Sequence, residues 1–192
     1  MAEWIFDPYP PLSYDLIVSD PPWRFSLRSG KGIKKSPQAH YSTMTLDELK
    51  AMPVSHLARD DAALVLWATN PMLDVAIDVM GAWGFKFKTA GHWSKRTKKG
   101  KQAFGTGYIL RCAGEPFLIG SVGAPHFESK SIRSVIEGVV REHSRKPDEF
   151  YREMEKLMPS ARKIDLFARQ SRPGWDTWGL EATKFDGEQN AA

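Results

Sequence analysis

The tetrapeptide Asp20-Pro21-Pro22-Trp23 directly follows an apolar run at residues 14–19, and this junction constrains the fold more than any other part of the chain. The run, Tyr-Asp-Leu-Ile-Val-Ser, is typical of a strand buried on both faces of a parallel sheet. Two consecutive prolines continue neither a strand ladder nor a helix, so the strand is predicted to end at Asp20. The simpler alternative is a plain strand stop, with Asp20 as a turn residue and Trp23 in the core.

The rest of the 192 residues alternate between apolar strands and amphipathic helices. Strands are predicted at 62–68, 85–93, 108–113, 116–122, 132–140 and 163–168, and helices at 45–52, 71–82 and from Pro147 to Pro159. This alternation predicts an α/β fold, a mostly parallel sheet with helices on both faces. Without repeats or a linker, the prediction is one domain over residues 1–192, with irregular ends at 1–13 and 186–192. Ligands of such sheets bind beyond the carboxyl ends of the strands, where Asp20, residues 68–70 and Arg169 are expected to converge.

The chain is mildly basic, with a net charge of +4 and a pI of about 9.1, which favours an anionic partner. The charge is concentrated in two polar stretches that lack apolar periodicity and are predicted to be loops. The first holds Arg24, Arg28, Lys31, Lys34 and Lys35, and the second holds Lys95, Arg96, Lys98, Lys99 and Lys101. A solvated loop explains either stretch alone, but two such loops beside one site indicate contacts with a phosphate backbone.

Several classes of protein are excluded by composition. Cys112 is the single cysteine, which excludes an intramolecular disulfide and a cysteine-rich zinc module. No metal-ligand spacing and no Ser/His/Asp arrangement of a hydrolase is visible. No apolar run is long enough to span a bilayer, and no signal-peptide pattern opens the chain, so we expect a cytoplasmic protein without a membrane partner.

The Asp-Pro-Pro-Trp element has the chemistry needed to hold an exocyclic amine on a flat ring. The Asp20 carboxylate can accept one N–H, and the Pro21 carbonyl can accept the other, since proline stiffens the turn and donates no N–H of its own. Trp23 offers a surface for base stacking, a contact worth about 1–3 kcal/mol. The base would have to be flipped out or already single-stranded.

A group of further motifs makes the chain resemble a known family. These motifs are residues 41–44 (Tyr-Ser-Thr-Met), 64–67 (Leu-Val-Leu-Trp), 114–116 (Gly-Glu-Pro), 143–149 (His-Ser-Arg-Lys-Pro-Asp-Glu) and 163–169 (Lys-Ile-Asp-Leu-Phe-Ala-Arg). Together with the Asp20–Trp23 element they are similar to the adenine-N6 methyltransferases related to the catalytic subunit of the mRNA adenosine methyltransferase, from about residue 14 to 181. The resemblance implies a Rossmann-like fold with permuted motif order, S-adenosylmethionine as cofactor and N6-methylation of adenine. The lack of a zinc-finger extension indicates a compact prokaryotic or phage member.

The resemblance also implies roles for individual residues. The catalytic element would be Asp20, Pro21, Pro22 and Trp23. Acceptor contacts would come from Tyr41, which would cover the base, and from Glu115. The charge distribution, rather than the resemblance, adds Lys95, Arg96, Lys98 and Lys99 as contacts with the nucleic acid. Cofactor contacts would come from Asp7, Asp20, Lys146, Arg169 and Glu181. Lys146 would lie at the donor's carboxylate or at the acceptor, and Arg169 and Glu181 would lie at the donor's ribose. Trp67 could be structural or lie beside the donor.

One motif departs from the pattern, and several functions stay open. Residues 167–172 read Phe-Ala-Arg-Gln-Ser-Arg, where eukaryotic members have Phe-Gly-Arg-Pro-His-Asn. The first hypothesis is adenine-N6 methylation of DNA, which compactness favours over RNA. The alternatives are adenine-N6 methylation of RNA, cytosine-N4 methylation of DNA, methylation of a protein amide, or a non-catalytic nucleic-acid-binding subunit. A homodimer, or a heterodimer with a related subunit, is compatible with each.

Overall fold

The computed structural model describes residues 4–24, 43–107, 109–142 and 145–187, and these contain one seven-stranded sheet. Its strands are β1 (Tyr14–Ser19), β2 (Ala58–Trp67), β3 (Lys86–Arg96), β4 (Gly114–Val122), β5 (Val135–Val139), β6 (Lys163–Leu166) and β7 (Trp175–Trp178). The helices are α1 (Leu46–Ala51), α2 (Leu73–Ala82) and α3 (Asp148–Leu157), with short 3₁₀ turns at Val54–Leu57 and Asn70–Met72.

The sheet is parallel apart from one strand. The order is β5-β3-β4-β2-β1-β6-β7, and only β4 runs antiparallel to its neighbours β2 and β3 within the described sheet. The pairs β1/β2, β1/β6, β3/β5 and β6/β7 are all parallel. This confirms the predicted α/β, Rossmann-like architecture with a mostly parallel sheet.

Helices cover both faces of the sheet, as predicted. Alternate residues of β1 point to opposite sides, so that Ile17 joins the core under α1 and α2 while Leu16 and Val18 join the core under α3. The first core contains Leu49 of α1 and three residues of α2, Ala76, Val79 and Met80. The second contains Phe150, Tyr151 and Met154 of α3. Central strands buried on two faces explain the continuous apolar runs of the sequence.

Local signals in the sequence explain the helix ends. The Thr45 side chain accepts a hydrogen bond from the Glu48 backbone N–H, and the Glu48 carboxylate accepts one from the Thr45 backbone N–H, which completes the predicted capping box of α1. Helix α3 begins one residue later than predicted. Pro147 has an extended backbone with ψ of 143° and precedes the helix as its N-cap, while Asp148 and Glu149 occupy the first turn.

Three of the strand predictions need correction. Strand β3 extends to Arg96, so Lys95 and Arg96 belong to the sheet and not to the basic loop. Residues 109–113 lie outside any strand, because their backbone groups bond within a turn that Gln102 holds together. Residues 175–178, predicted as a packing tail, form the edge strand β7 beside β6.

Candidate active site

The carboxyl edge of the sheet brings together residues that lie far apart in the sequence. Strand β1 ends at Ser19 and places Asp20 at this edge, while β6 ends at Leu166 and places Arg169 nearby. Strand β4 runs the opposite way, so its first residues, including Glu115, lie at the same edge. Because β4 is antiparallel, Glu115 at its start lies at the same edge of the sheet as Asp20, which follows the end of β1.

Four charged side chains form an alternating chain at this edge. The Lys146 ammonium lies 2.9 Å from Asp20 Oδ2 and 3.4 Å from Glu115 Oε2, and Lys95 Nζ lies 3.4 Å from the same Glu115 oxygen. Lys146 is only 6% exposed, with its ammonium 5.0 Å from the centre of the Trp67 ring. The charges of two carboxylates and two ammonium groups therefore cancel, and the Lys146 ammonium also contacts the Trp67 ring. This makes Trp67 part of the site as well as of the core.

The charge chain decides the protonation of its members. Burial raises the pKa of Asp20, and the Lys146 ammonium opposes that rise without cancelling it, so the pKa lies above its ordinary value. Burial also acts on Glu115, but Lys146 and Lys95 together outweigh it and hold the pKa of Glu115 below its ordinary value. Burial lowers the pKa of Lys146, yet the two carboxylates raise it well above the ordinary value, so Lys146 stays charged. Asp20 is thus the carboxyl of the pair that accepts a proton more readily.

The two prolines form a tight turn whose carbonyls are already in use. The backbone N–H of Trp23 donates to the Pro21 carbonyl at 2.8 Å, and that of Met44 donates to the Pro22 carbonyl at 3.0 Å. A carbonyl oxygen has two lone pairs, so Pro21 keeps one for a ligand. The predicted stacking role of Trp23 does not match its position. Its ring is 4% exposed, and its indole N–H donates to the Trp67 carbonyl at 3.0 Å, so the side chain holds the turn against β2.

A cleft that is open to solvent lies next to Asp20 and Lys146. One wall is the turn after β6, where Phe167 has a positive φ of 62°, a conformation that non-glycine residues rarely adopt outside functional turns. The end of β7 approaches this turn so closely that a Cβ on Gly179 would lie 3.0 Å from the Phe167 backbone. The turn directs Ala168 and Arg169 into the cleft.

Several cleft residues were missed by the sequence prediction. Arg145 is buried and donates through its guanidinium to Gln170 Oε1, which joins the loop before α3 to the turn after β6. Arg172 lies over the Tyr151 ring at 3.7 Å and donates to Asp148. Arg145 belongs to one of the recognised motifs, and Gln170 and Arg172 stand where the family pattern changes. Only the folded structure shows that these residues lie close together, so the sequence alone could not identify them as a group.

A buried acid of β6, Asp165, is among the residues that line the cleft. Asp165 accepts a hydrogen bond of 2.7 Å from the Tyr151 hydroxyl, and burial raises the pKa of Asp165 to about 7. Burial also raises the pKa of Tyr151 well above its ordinary value, so its hydroxyl stays a donor. The lone acid in the apolar run at residues 163–166 was the only trace of this pair in the sequence.

The Asp165 pair leads to a prediction about stability. Because the folded pKa of about 7 exceeds the ordinary value of 3.8, the contribution of Asp165 is fully present below about pH 4 and is lost as the pH rises through 7. Asp165→Asn removes the titration and keeps an acceptor for Tyr151. We expect its free energy of unfolding, relative to wild type, to rise by about 2–4 kcal/mol between pH 4 and pH 8.

Urea unfolding at both pH values measures this change. Asp60→Asn, at an exposed site of β2, is the matched control and should track wild type at both values. If the difference in free energy of unfolding between Asp165→Asn and wild type did not vary with pH, that result would contradict a raised pKa for Asp165.

The remaining predicted site residues are distributed around the cleft. The Arg169 guanidinium lies 3.4 Å from Glu181, which brings the two predicted ribose contacts together. Asp7 is exposed in the turn before β1 and is not among the residues that line the cleft. Arg96 pairs with Glu137 of β5, whereas Lys98 and Lys99 are exposed beyond the end of β3. Tyr41 and most of the first basic stretch lie outside the described residues.

The cleft residues fit S-adenosylmethionine by their chemistry. The methionine end of that cofactor carries a carboxylate, and the cleft offers Lys146 as a cation for it. Polar side chains suited to ribose hydroxyls follow along the same wall, at Arg169 and Gln170. Among the described residues, no group of three or more His, Cys, Asp or Glu side chains is placed to hold a metal ion. No described helix is long and apolar enough to cross a membrane.

The near-parallel sheet, the permuted order of its motifs and the cleft at its carboxyl edge define a Rossmann-like methyltransferase. Comparison with known families makes the assignment specific. The MT-A70 model matches residues 14–181, so the chain belongs to the MT-A70 family. This confirms the resemblance that the sequence motifs carried.

Individual relatives come from bacteria and from eukaryotes. The chain is 30% identical to the Type II methyltransferase M.MunI of Mycoplasma sp. over 92% of this chain and 81% of that protein. It is 31% identical to the N(6)-adenosine-methyltransferase MT-A70-like protein of Arabidopsis thaliana, and 30% identical to the human N(6)-adenosine-methyltransferase catalytic subunit METTL3. Those two matches cover 87% and 86% of this chain, but only 23% and 28% of the plant and human proteins.

Proposed function

We propose that this protein transfers a methyl group from S-adenosylmethionine to the N6 amine of adenine in DNA, with Asp20 and the Pro21 carbonyl holding the amine. The observation that carries the proposal is the buried contact of Asp20 with Lys146 at the mouth of the cleft. Membership of the MT-A70 family and the names of the relatives support an N6-adenine methyltransferase.

The residues of the site supply position and charge. An adenine amine is a weak nucleophile because its lone pair is delocalised into the ring, and it has two N–H groups to satisfy. Asp20 accepts one, and the free lone pair of the Pro21 carbonyl accepts the other, which directs the nitrogen lone pair toward the cleft. S-adenosylmethionine, when bound, supplies an electrophilic methyl group on a positively charged sulfur. As the new C–N bond would form, the bond from the methyl group to the sulfur would break and its electron pair would stay on the sulfur, which leaves as the neutral thioether of S-adenosylhomocysteine. The amine must also lose one proton, and the raised pKa of Asp20 suits it to receive that proton.

Lys146 and its partners keep the site in the charged state that this role requires. The ammonium holds Asp20 in place as a carboxylate, and it has a second carboxylate partner in Glu115, which is itself paired with Lys95. Arg169 and Gln170 would hold the ribose of the cofactor, with Glu181 directing Arg169. The remaining predicted contacts, Tyr41 to the base and Asp7 to the cofactor, are part of the proposal.

DNA is the proposed polymer because of how the relatives match. The chain covers most of a bacterial type II methyltransferase, whereas it covers about a quarter of the proteins named for adenosine, the ribonucleoside. The basic surface suits any polynucleotide, and a second copy or a related subunit is compatible with it. We expect the protein to act in the cytoplasm.

The test is methyl transfer from labelled S-adenosylmethionine to duplex DNA, single-stranded DNA and RNA of one sequence, followed by nucleoside mass spectrometry. N6-methyladenine in DNA supports the proposal. N6-methyladenosine in RNA alone would show that the substrate is RNA and not DNA. N4-methylcytosine would show that the methylated base is cytosine and not adenine. Cofactor binding without any product would favour the non-catalytic subunit.

The exposed lysines beyond β3 give a prediction about DNA binding. Lys98, Lys99 and Lys101 are exposed, whereas Lys95 and Arg96 are engaged by Glu115 and Glu137. Replacing the three exposed lysines with glutamine should weaken DNA binding and reduce the slope of log K against log salt by about 1 for each phosphate that the variant no longer neutralises. Fluorescence anisotropy from 50 to 200 mM salt measures the slope.

A matched pair of lysines lies at the opposite edge of the sheet. Lys86→Gln/Lys88→Gln removes exposed charge at the start of β3 and should leave the slope within error of wild type. An equal reduction in both variants would show that only the overall charge of the protein matters.

A further inference from the structure

The connection between β3 and β4 lies next to the charge chain, and we call its described residues, 97–107 and 109–113, the β3–β4 finger. It begins one residue after Arg96 and returns at Gly114, immediately before Glu115. Lys95 and Glu115, which pair at 3.4 Å, therefore lie at its two roots. The two ends of the finger therefore adjoin the charge chain of the active site.

The finger is held in one shape by its own hydrogen bonds. Gln102 donates through Nε2 to the carbonyls of Lys95 and Ala113, at 3.0 and 2.8 Å, and so joins the two roots. Nearer the tip, the Gly105 N–H donates to the Cys112 carbonyl at 2.8 Å. A Cβ on Gly107 would lie 1.9 Å from the Leu110 carbonyl, so the turn admits only glycine there. The tip of the finger is therefore connected to the sheet through a hydrogen-bonded base formed by Gln102, Lys95 and Ala113.

The tip exposes three large apolar side chains to water. Phe104 is 80% exposed, Ile109 is 92% exposed and Leu110 is 82% exposed. Burial of such side chains is worth roughly 1.5–3 kcal/mol each, so three large apolar side chains exposed on one connection indicate a partner. The apolar residues 109–110 led to the incorrect prediction of a strand at 108–113, because the sequence does not distinguish a buried apolar run from an exposed one.

The charge around the tip identifies the kind of partner. Residues 95–113 contain six Lys or Arg and no Asp or Glu. The Arg111 guanidinium lies 5.5 Å from the Phe104 ring, and Lys98, Lys99 and Lys101 are exposed nearby along the finger. Apolar side chains surrounded only by cations are complementary to a polynucleotide, which has anionic edges and flat apolar bases.

We propose that the β3–β4 finger is a wedge for duplex DNA, whose apolar tip enters the base stack and fills the space that the target adenine leaves when it moves to Asp20. The inference rests on the proposed function, since a base must leave the duplex to reach a site at the carboxyl edge. Inserted apolar side chains unstack a base step, and cations beside them neutralise the adjacent phosphates. The hydrogen bonds of Gln102 join the two ends of the finger beside the Lys95–Glu115 pair, and Glu115 in turn contacts Lys146, the partner of Asp20.

The test compares paired and unpaired substrates. Phe104→Ser/Ile109→Ser/Leu110→Ser should lower kcat/KM about tenfold to a hundredfold on duplex DNA, and change it less than about twofold on single-stranded DNA of the same sequence. Leu12→Ser, at an exposed position before β1 on the opposite edge, is the control and should change neither value. An equal loss on both polymers would overturn the wedge and assign the finger to assembly of the active site. A loss that accompanies conversion of a dimer to a monomer in light scattering would overturn it in favour of a second copy.

A binding measurement separates failure of the wedge from failure of the proposed function. Wild type should bind a duplex with a central abasic site at least about fivefold more tightly than the intact duplex, because the space for the tip already exists. The triple variant should lose this preference. The preference is measurable by anisotropy even if no polymer is methylated, and its absence in wild type would contradict the wedge.

Discussion

Asp20→Asn is expected to reduce methyl transfer by at least about a hundredfold while S-adenosylmethionine binds within a few-fold of wild type. The amide cannot accept a proton from the amine, and its NH₂ group can turn toward a position where an acceptor is needed. Its oxygen can still accept a hydrogen bond from Lys146, which lies 2.9 Å from the carboxylate in the wild type. Single-turnover kinetics and calorimetric titration with the cofactor measure the two effects separately.

Asp78→Asn is the matched control for this substitution. Asp78 lies exposed on α2, where its carboxylate is 3.9 Å from the Lys50 ammonium, far from the cleft. It should leave both turnover and cofactor binding unchanged. Loss of cofactor binding in Asp20→Asn, with a normal unfolding transition, would move Asp20 from the acceptor side of the site to the donor side.

Lys146→Met is expected to lower the free energy of unfolding by about 3 kcal/mol at pH 7.5 and to abolish turnover. The substitution keeps the apolar stem over Trp67 but removes the ammonium that Asp20 and Glu115 share. The two carboxylates are about a quarter exposed, so the loss falls at the lower end for a broken buried ion pair. Urea denaturation measures the stability.

The pH dependence of this variant distinguishes lost charge balance from lost packing. Without the ammonium, burial and mutual repulsion raise the folded pKa of both carboxyls above their unfolded values near 4. Their contribution is then fully present below about pH 4 and is lost as the pH rises, so the difference from wild type should be small at pH 4 and grow toward pH 7.5. A difference that stays constant with pH would indicate a packing defect alone.

A second substitution tests the same cause. Lys146→Met/Asp20→Asn/Glu115→Gln leaves no uncompensated carboxylate at the site, so it should be more stable at pH 7.5 than Lys146→Met alone. Destabilisation that simply adds across the three positions would show that they are not coupled.

Much of the fold was predictable because local rules and tertiary packing agree. The continuous apolar runs at 14–19 and 62–68 predicted buried strands, and the Thr45–Glu48 capping box predicted where α1 begins. The errors occur where the two disagree. Ile109 and Leu110 have the composition of a strand but lie exposed in a bend, and Trp175–Trp178 forms an edge strand without an apolar pattern.

The sequence by itself determined the family, the strand that precedes Asp20 and the motif residues Glu115, Lys146 and Arg169. These follow from short motifs in a fixed order along the chain, which need no knowledge of the folded structure. Only the tertiary structure decided which of them touch, because contact depends on the antiparallel course of β4 and on the turn after β6. It also moved Trp23 from a stacking surface into the core, and revealed the Tyr151–Asp165 pair and the exposed tip of the β3–β4 finger. Burial and pKa are properties of the surroundings of a side chain, and those surroundings come from segments that folding brings together over long distances in sequence.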